Sequence, residues 1–165
     1  MTSEHLLHTI PPIYDRNSKI LILGSFPSVK SREVSFYYGH PQNRFWRVLA
    51  AVLGCAVPSS NEEKTALLHS HNIALWDVIK SCDIVGSSDS SIKNVVPNDI
   101  GAILSSCGIR QIYSNGKTSE KLFNKYIKDI VGRDTVALPS TSPANASYNL
   151  ERLTDSWSVI KNNIR

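Results

Sequence analysis

Between Gly24 and Asn43 the chain reads GSFPSVKSREVSFYYGHPQN, a stretch with two prolines, two glycines and four serines. It carries the aromatic residues Phe26, Phe36, Tyr37 and Tyr38, then His40 and Asn43, and Glu33 is its lone carboxylate. Rings beside an amide, with little negative charge, suit a flat uncharged heterocycle: the rings stack and the amide orients it through hydrogen bonds. A loop this long without its own secondary structure is usually functional or disordered, and so aromatic a composition does not favour disorder. Binding or catalysis is therefore expected here. Asn43 has a second reading as the cap of the helix that follows it, and composition alone favours the cap.

A second loop, Pro139-Ser140-Thr141-Ser142-Pro143-Ala144-Asn145-Ala146-Ser147, sets small hydroxyls between two prolines. A rigid loop of this kind offers N–H and O–H donors to phosphates, and its tip can enter a groove; it reads equally well as a turn ending in a helix cap. Other signals fail. Asn115-Gly116-Lys117-Thr118 resembles the end of a phosphate-binding P-loop, but Gln111 stands where that motif needs its first glycine. His69 and His71 are two apart on a predicted helix and point to different faces, so they make no metal pair. No GxSxG elbow supplies a hydrolase serine.

These loops need a frame, and the rest of the 165 residues supplies one. With 41% hydrophobic and 19% charged residues the chain has the composition of a folded domain, and its net charge of +4 permits a polyanionic partner without demanding one. The run Lys19 to Leu23 predicts a buried strand, and Phe45, Trp46, Leu49, Val52 and Leu53 predict a helix stopped by Gly54. Ser60 with Glu63 predicts a capping box and a helix from about Asn61 to His71. Ile73 to Leu75 is the next strand, with Trp76 to Ile79 extending it or turning to helix, and GSSDSS at 86–91 reads as surface loop. Asp99 starts a helix through Ile100, Ile103, Leu104 and Cys107. Arg110 to Ser114 and Asp134 to Leu138 complete four strands. Between them a helix from Lys117 buries Leu122, Phe123, Tyr126, Ile127, Ile130 and Val131, and a final amphipathic helix carries Leu150, Leu153, Trp157, Ile160 and Ile164. Alternating strands and helices predict an α/β fold in which a small parallel sheet is covered on both faces. Ligands bind such sheets at the carboxyl ends of the strands, which brings the loops after all four strands to one rim.

The longest apolar stretch, Val48 to Val57, is about half of what a bilayer requires, and the start MTSEHLLHTIPP lacks the order of a signal peptide. A soluble cytoplasmic protein, nucleoid-associated in a prokaryote, is the expectation, with no membrane partner. Cys55, Cys82 and Cys107 are far apart, offer neither a disulfide framework nor an iron–sulfur site, and are expected to be buried thiols.

Taken together, strand-then-GSFPS, YYGHPQNRFW and the late PSTSPAN resemble the uracil-DNA glycosylase superfamily, and within it the hypoxanthine-DNA glycosylase branch. HPQNRFW is similar to a stretch of the mismatch-specific uracil-DNA glycosylases, and the motifs keep their order across nearly the whole chain. The resemblance implies a single glycosylase domain over 1–165, folded as a three-layer α/β/α sandwich on a short four-stranded parallel sheet. It also implies an enzyme that needs no metal or cofactor and whose partner is DNA containing deaminated bases; with no sign of oligomerisation in the sequence, a monomer is the default expectation.

It implies roles as well. Phe26 occupies the place where relatives carry a water-positioning polar residue, so that task passes to Asn43, helped by Ser25. Tyr38 matches the aromatic that stacks on the flipped base, with Phe26 as a second wall. Asp77 falls where the uracil-specific branch has an asparagine reading the base edge, and as a carboxylate it accepts from the ring N–H of hypoxanthine or uracil. Ser140 matches a contact to the leaving base, and Asn115 is a candidate by position. Ser28, Lys30, Arg32, Lys117, Ser142, Ala144 and Asn145 are the candidates for DNA contacts, Ala144 standing where many relatives carry a leucine wedge. The expected activity is hydrolytic removal of hypoxanthine foremost, with uracil or xanthine behind it. A nucleic-acid-binding module that senses damage or single strands without chemistry stays open beside it.

Overall fold

The computed structural model describes residues 2–165. In chain order the elements are β1 (Glu4–Leu7), β2 (Ile20–Gly24), α1 (Val29–Val34), α2 (Phe45–Leu53), α3 (Asn61–Ser70), β3 (Ile73–Asp77), β4 (Ile79–Ile84), β5 (Lys93–Pro97), α4 (Ile100–Ser106), β6 (Gln111–Asn115), α5 (Lys117–Tyr126), α6 (Lys128–Val131), β7 (Thr135–Leu138) and α7 (Leu150–Trp157). Short 3₁₀ turns at 89–91 and 158–162 complete the chain.

The central sheet has the order β3-β2-β6-β7, and all its pairings are parallel. β2 is buried along its whole length, the mark of a strand covered on both faces. Ile20 and Ile22 point to one side, where α2, α3 and α7 pack around Phe45, Leu49, Leu68, Leu153 and Trp157. Leu21 and Leu23 point to the other, against Ile100 and Ile103 of α4 and Phe123 of α5. Helices lie on both faces of a four-stranded parallel sheet, which is the α/β/α arrangement expected from the sequence.

The local signals act as expected. Gly54 closes α2 in the left-handed region at φ 71°, the Ser60 hydroxyl accepts from the Glu63 N–H, and the Asp99 carboxylate accepts from the Ala102 N–H. Four expectations need correction. After Asp77 the chain does not end its strand in a rim loop: it turns at the buried Val78 and starts a second, antiparallel sheet of order β1-β4-β5. That sheet was missed because its strands are short and mixed in polarity, and β1 and β4 lie about seventy residues apart, with Leu7 paired to Ser81. The long loop after β2 also contains a helix, α1, capped by Ser28. Ile130 is 80% exposed rather than buried, because the helix breaks at Ile127 and turns that face outward. Of the cysteines only Cys82 is buried, while Cys55 is exposed just past the end of α2. No helix among the described residues is long and apolar enough to cross a membrane.

Candidate active site

Parallel register puts Gly24 at the end of β2 directly beside Asp77 at the end of β3, and Asn115 ends β6 on the same rim. Over these ends lies a cavity of about 350 Å³. That is near the lower end of the volumes typical of small-molecule sites, roughly 300–1,000 Å³. The loop after β2 contributes Ser25, Phe26, Ser28, Tyr38 and Asn43, and the loop after β7 contributes Ser140, Thr141, Ser142 and Ala144. Lys30, Arg32, Lys117 and Asn145 stand outside its lining.

Asn43 sits at the junction of the two loops. Its side-chain Oδ1 accepts from the Phe45 N–H at 2.9 Å and from the Thr141 hydroxyl at 2.9 Å. The carbonyl oxygen thus serves the first N–H of α2 from one place ahead of the cap position, Arg44, and with both lone pairs in use only the Nδ2 donors are left for the cavity. Thr141, completely buried, is wired on every side. Its N–H donates to Asn115 Oδ1 at 3.0 Å, its hydroxyl accepts from Asn115 Nδ2 at 3.0 Å, and its carbonyl accepts from the Arg44 N–H at 3.0 Å. Asn115 thus orients the Thr141 hydroxyl, and Thr141 in turn holds the Asn43 amide. Thr141→Val keeps the volume and removes the relay. Removing one such bond is worth about 1 kcal/mol, so turnover slows by roughly fivefold, whereas Thr141→Ser retains most of the rate. Single-turnover kinetics of the two variants, checked against thermal unfolding, decide the point.

Tyr38 stacks one face of its ring on Phe45, with centroids 4.2 Å apart. Its backbone is left-handed at φ 53°, a conformation that few tyrosines adopt. The Tyr38 hydroxyl is buried and has no hydrogen-bond partner within the described residues. Burial first, and the Asp77 carboxylate second, push the Tyr38 phenol far above its ordinary range, opposed by the neighbouring Asn115 side chain, so it stays protonated as a donor. Asp77 is 5% exposed at its side chain and meets a residue the sequence reading passed over: His8 Nε2 lies 2.7 Å from Asp77 Oδ2. His8 shares the N-terminal segment with His5 and lies 69 residues from its partner, so no spacing signal marks the pair. Asp89, from the segment read as surface loop, also lines the cavity. Burial in the cleft raises its pKa, opposed by the hydroxyls of Thr118 and Ser25.

Several candidates for DNA contact are already engaged within the fold. Ser28 caps α1 by accepting from the Ser31 N–H. Arg32 donates to the carbonyls of Pro27 and Gly86, and Lys30 pairs with Glu33 at 3.6 Å on the surface. The hydroxyls of Ser140 and Ser142 accept from the N–H groups of Ser142 and Ala144, which leaves their own protons free to donate. Asn145 donates to the Ser140 carbonyl, and Ala144 is exposed at the loop tip. Arg44 donates to the carbonyls of Ser142, Asn145 and Tyr148 and so clamps the loop after β7 onto the start of α2. Lys117 remains an exposed cation outside any ion pair among the described residues.

Comparison with known proteins identifies the family and the fold. The model of the uracil DNA glycosylase superfamily matches residues 11–162. A protein named hypoxanthine DNA glycosylase from Methanosarcina barkeri (strain Fusaro) is 36% identical over 137 residues, 82% of this chain and 85% of that one. One of the same name from Methanosarcina acetivorans is 34% identical over 152 residues, 91% of this chain and 94% of that one. A solution NMR structure from Methanosarcina acetivorans, provisionally named a uracil DNA glycosylase, is similar with a TM-score of 0.79 at 33% identity. That likeness covers 92% of this chain and 94% of the other.

Proposed function

This chain belongs to the uracil DNA glycosylase superfamily and is an N-glycosyl hydrolase acting on DNA; from that premise we propose that it extrudes hypoxanthine from DNA and hydrolyses its glycosidic bond, uracil being a secondary substrate. The observation that carries this reading is the Asn43 amide, held by Phe45 and Thr141 so that only its Nδ2 faces a base-sized cavity.

Breaking an N-glycosidic bond builds positive charge on the sugar and negative charge on the departing base. No strong nucleophile is required, because the sugar cation is itself reactive toward water. Asn43 Nδ2 holds that water by donating to its oxygen and leaves a lone pair for the anomeric carbon. Donors around the base, the Tyr38 hydroxyl and the free protons of Ser140 and Asn115, stabilise the charge it takes away. Ser25 and Phe26 close the cavity on the β2 side. No lysine lines it among the described residues, which supports simple hydrolysis over strand cleavage through a Schiff base.

Extrusion costs unstacking energy, and Ala144 at the loop tip fills little of the vacated stack, so mismatched or single-stranded targets are favoured. The test is incision of labelled oligonucleotides that carry hypoxanthine, uracil or xanthine opposite each normal base, or single-stranded, followed by alkali. Alkali-labile sites at hypoxanthine are expected; none on any substrate overturns the reading.

The path of the DNA is suggested by charge. Lys117, Lys121 and Lys125 recur every fourth residue along α5, and Lys93 of β5 joins Lys121 and Lys125 around an open cleft that meets the cavity at Asp89. Helical spacing puts successive lysines about 6 Å apart, a step suited to successive phosphates. The double variant Lys121→Gln/Lys125→Gln is expected to reduce the slope of log K against log salt by about 1.4–1.8, from 0.7–0.9 per phosphate contact. Its saturated single-turnover rate stays unchanged.

A further inference from the structure

His8 lies three residues before the stretch matched by the superfamily model, just past the end of β1, yet its ring reaches Asp77, which lines the base cavity. The His8 N–H donates to the Lys80 carbonyl at 2.7 Å, which fixes the backbone, and the side chain is only 1% exposed. Phe26 and Trp76 meet the imidazole edge to face at 6.0 and 6.5 Å, and Tyr37 tilts against it at 6.2 Å. On its open side the ring nitrogen Nε2 faces Asp77 Oδ2 at 2.7 Å.

We infer that His8 is a positioning residue that makes Asp77 a fixed, charge-compensated acceptor, and that with the Tyr38 hydroxyl this pair reads the N–H and C=O edge that distinguishes a deaminated base from its amino parent. The inference rests on the glycosylase reading above and adds to it the groups that select the base. An unpartnered charge buried this deeply is expensive, and the imidazole 2.7 Å from Oδ2 supplies the carboxylate with a buried partner. That contact takes up Oδ2 and leaves the other oxygen, Oδ1, to accept. Oδ1 stands over Gly24, where a methyl group added to the glycine would come within 2.4 Å of it and within 3.1 Å of the Tyr38 hydroxyl. The Tyr38 hydroxyl is buried without a partner and is a protonated donor.

An acceptor beside a donor matches hypoxanthine, which offers N1–H and O6, and uracil, which offers N3–H and O4. Adenine and cytosine present the reverse order, an acceptor nitrogen beside an amino group, and leave both protein groups mispaired. Sites built around buried polar groups reject mispaired analogues far more strongly than apolar pockets do. Compensation also matters for rate. The departing base gains negative charge, and a bare carboxylate about 5 Å away opposes that charge by an amount on the order of a hundredfold in rate. His8 removes this opposition.

The test uses the full chain and oligonucleotides carrying inosine or 1-methylinosine, the latter lacking the N1–H. Wild type is expected to release hypoxanthine at least a hundredfold faster than its 1-methyl form; equal rates overturn the inference without recourse to any variant. His8→Gln keeps an N–H against Asp77 but cannot carry the compensating charge. It is expected to lower the saturated single-turnover rate by roughly ten- to a hundredfold with little change in DNA affinity. Adding Asp77→Asn to His8→Gln is expected to restore much of the loss, because a neutral amide keeps an acceptor oxygen and needs no counter-charge. A merely structural histidine is not rescued in this way, so a double variant no faster than His8→Gln, or His8→Gln at the wild-type rate, overturns the inference. If wild type fails to cut inosine DNA at all, it is the glycosylase substrate reading that fails, and the two outcomes are distinct.

Discussion

Asn43→Ser lowers the rate of hypoxanthine release by at least about a hundredfold in single turnover while the protein stays folded and binds DNA. The serine is chosen because the residue does two jobs. Its Oδ1 accepts from the Phe45 N–H two residues on, a turn that a serine hydroxyl also makes. Only the amide donor that faces the cavity is lost, and removing one well-aimed transition-state donor costs about 10²–10³ in kcat. Asn43→Ala removes the donor and the cap together, so it is expected to show the same kinetic loss plus about 1 kcal/mol of stability. Thermal unfolding and single-turnover incision on the same preparations separate the effects. Should both variants turn over normally once corrected for the folded fraction, Asn43 is a cap and nothing more.

Gly24→Ala has an effect of similar size for a steric reason. Gly24 is fully buried beside Asp77, and an added Cβ would stand 2.4 Å from Asp77 Oδ1 and 3.1 Å from the Tyr38 hydroxyl. An ordinary contact needs roughly 1 Å more room. The carboxylate, held at its other oxygen by His8, must swing away or the strand must shift; such overpacking costs about 1–3 kcal/mol. A displacement of about 1 Å at a reacting centre costs on the order of a hundredfold in rate. Gly108→Ala is the control, since nothing lies within 4 Å of the Cβ it adds. Equal activity of the two variants would show that the close approach of β2 and β3 does not shape the site.

Both expectations concern side chains around one cavity, and they separate what is readable along the chain from what is not. Phe26, Tyr38, Asn43, Asp77, Asn115 and Ser140 were candidates from the sequence because each lies at a loop or strand end with an intelligible residue type, and all line the cavity. Thr141 lay within a quoted motif but had no distinguishing chemistry until the fold set its hydroxyl between two amides. Arg44 holds carbonyls about a hundred residues away, bonds that only the fold creates.

Signals that act within a few residues were decisive on their own. The wholly apolar β2, the caps at Ser60 and Asp99, the glycine stop after α2 and the spacing of α7 dictate the central α/β frame, because each depends on backbone groups one turn away or on the burial of one face. Tertiary structure alone decided the second sheet, the pairing of His8 with Asp77 and the wiring of Thr141 to Asn43. Those bonds join positions 69 to 98 residues apart, and no periodicity or residue spacing encodes a register. The carboxylate at position 77 could be read as an acceptor from its type; that it stands 2.7 Å from a buried imidazole and close to the Tyr38 hydroxyl required the fold to bring β1, β2 and β3 together at Gly24.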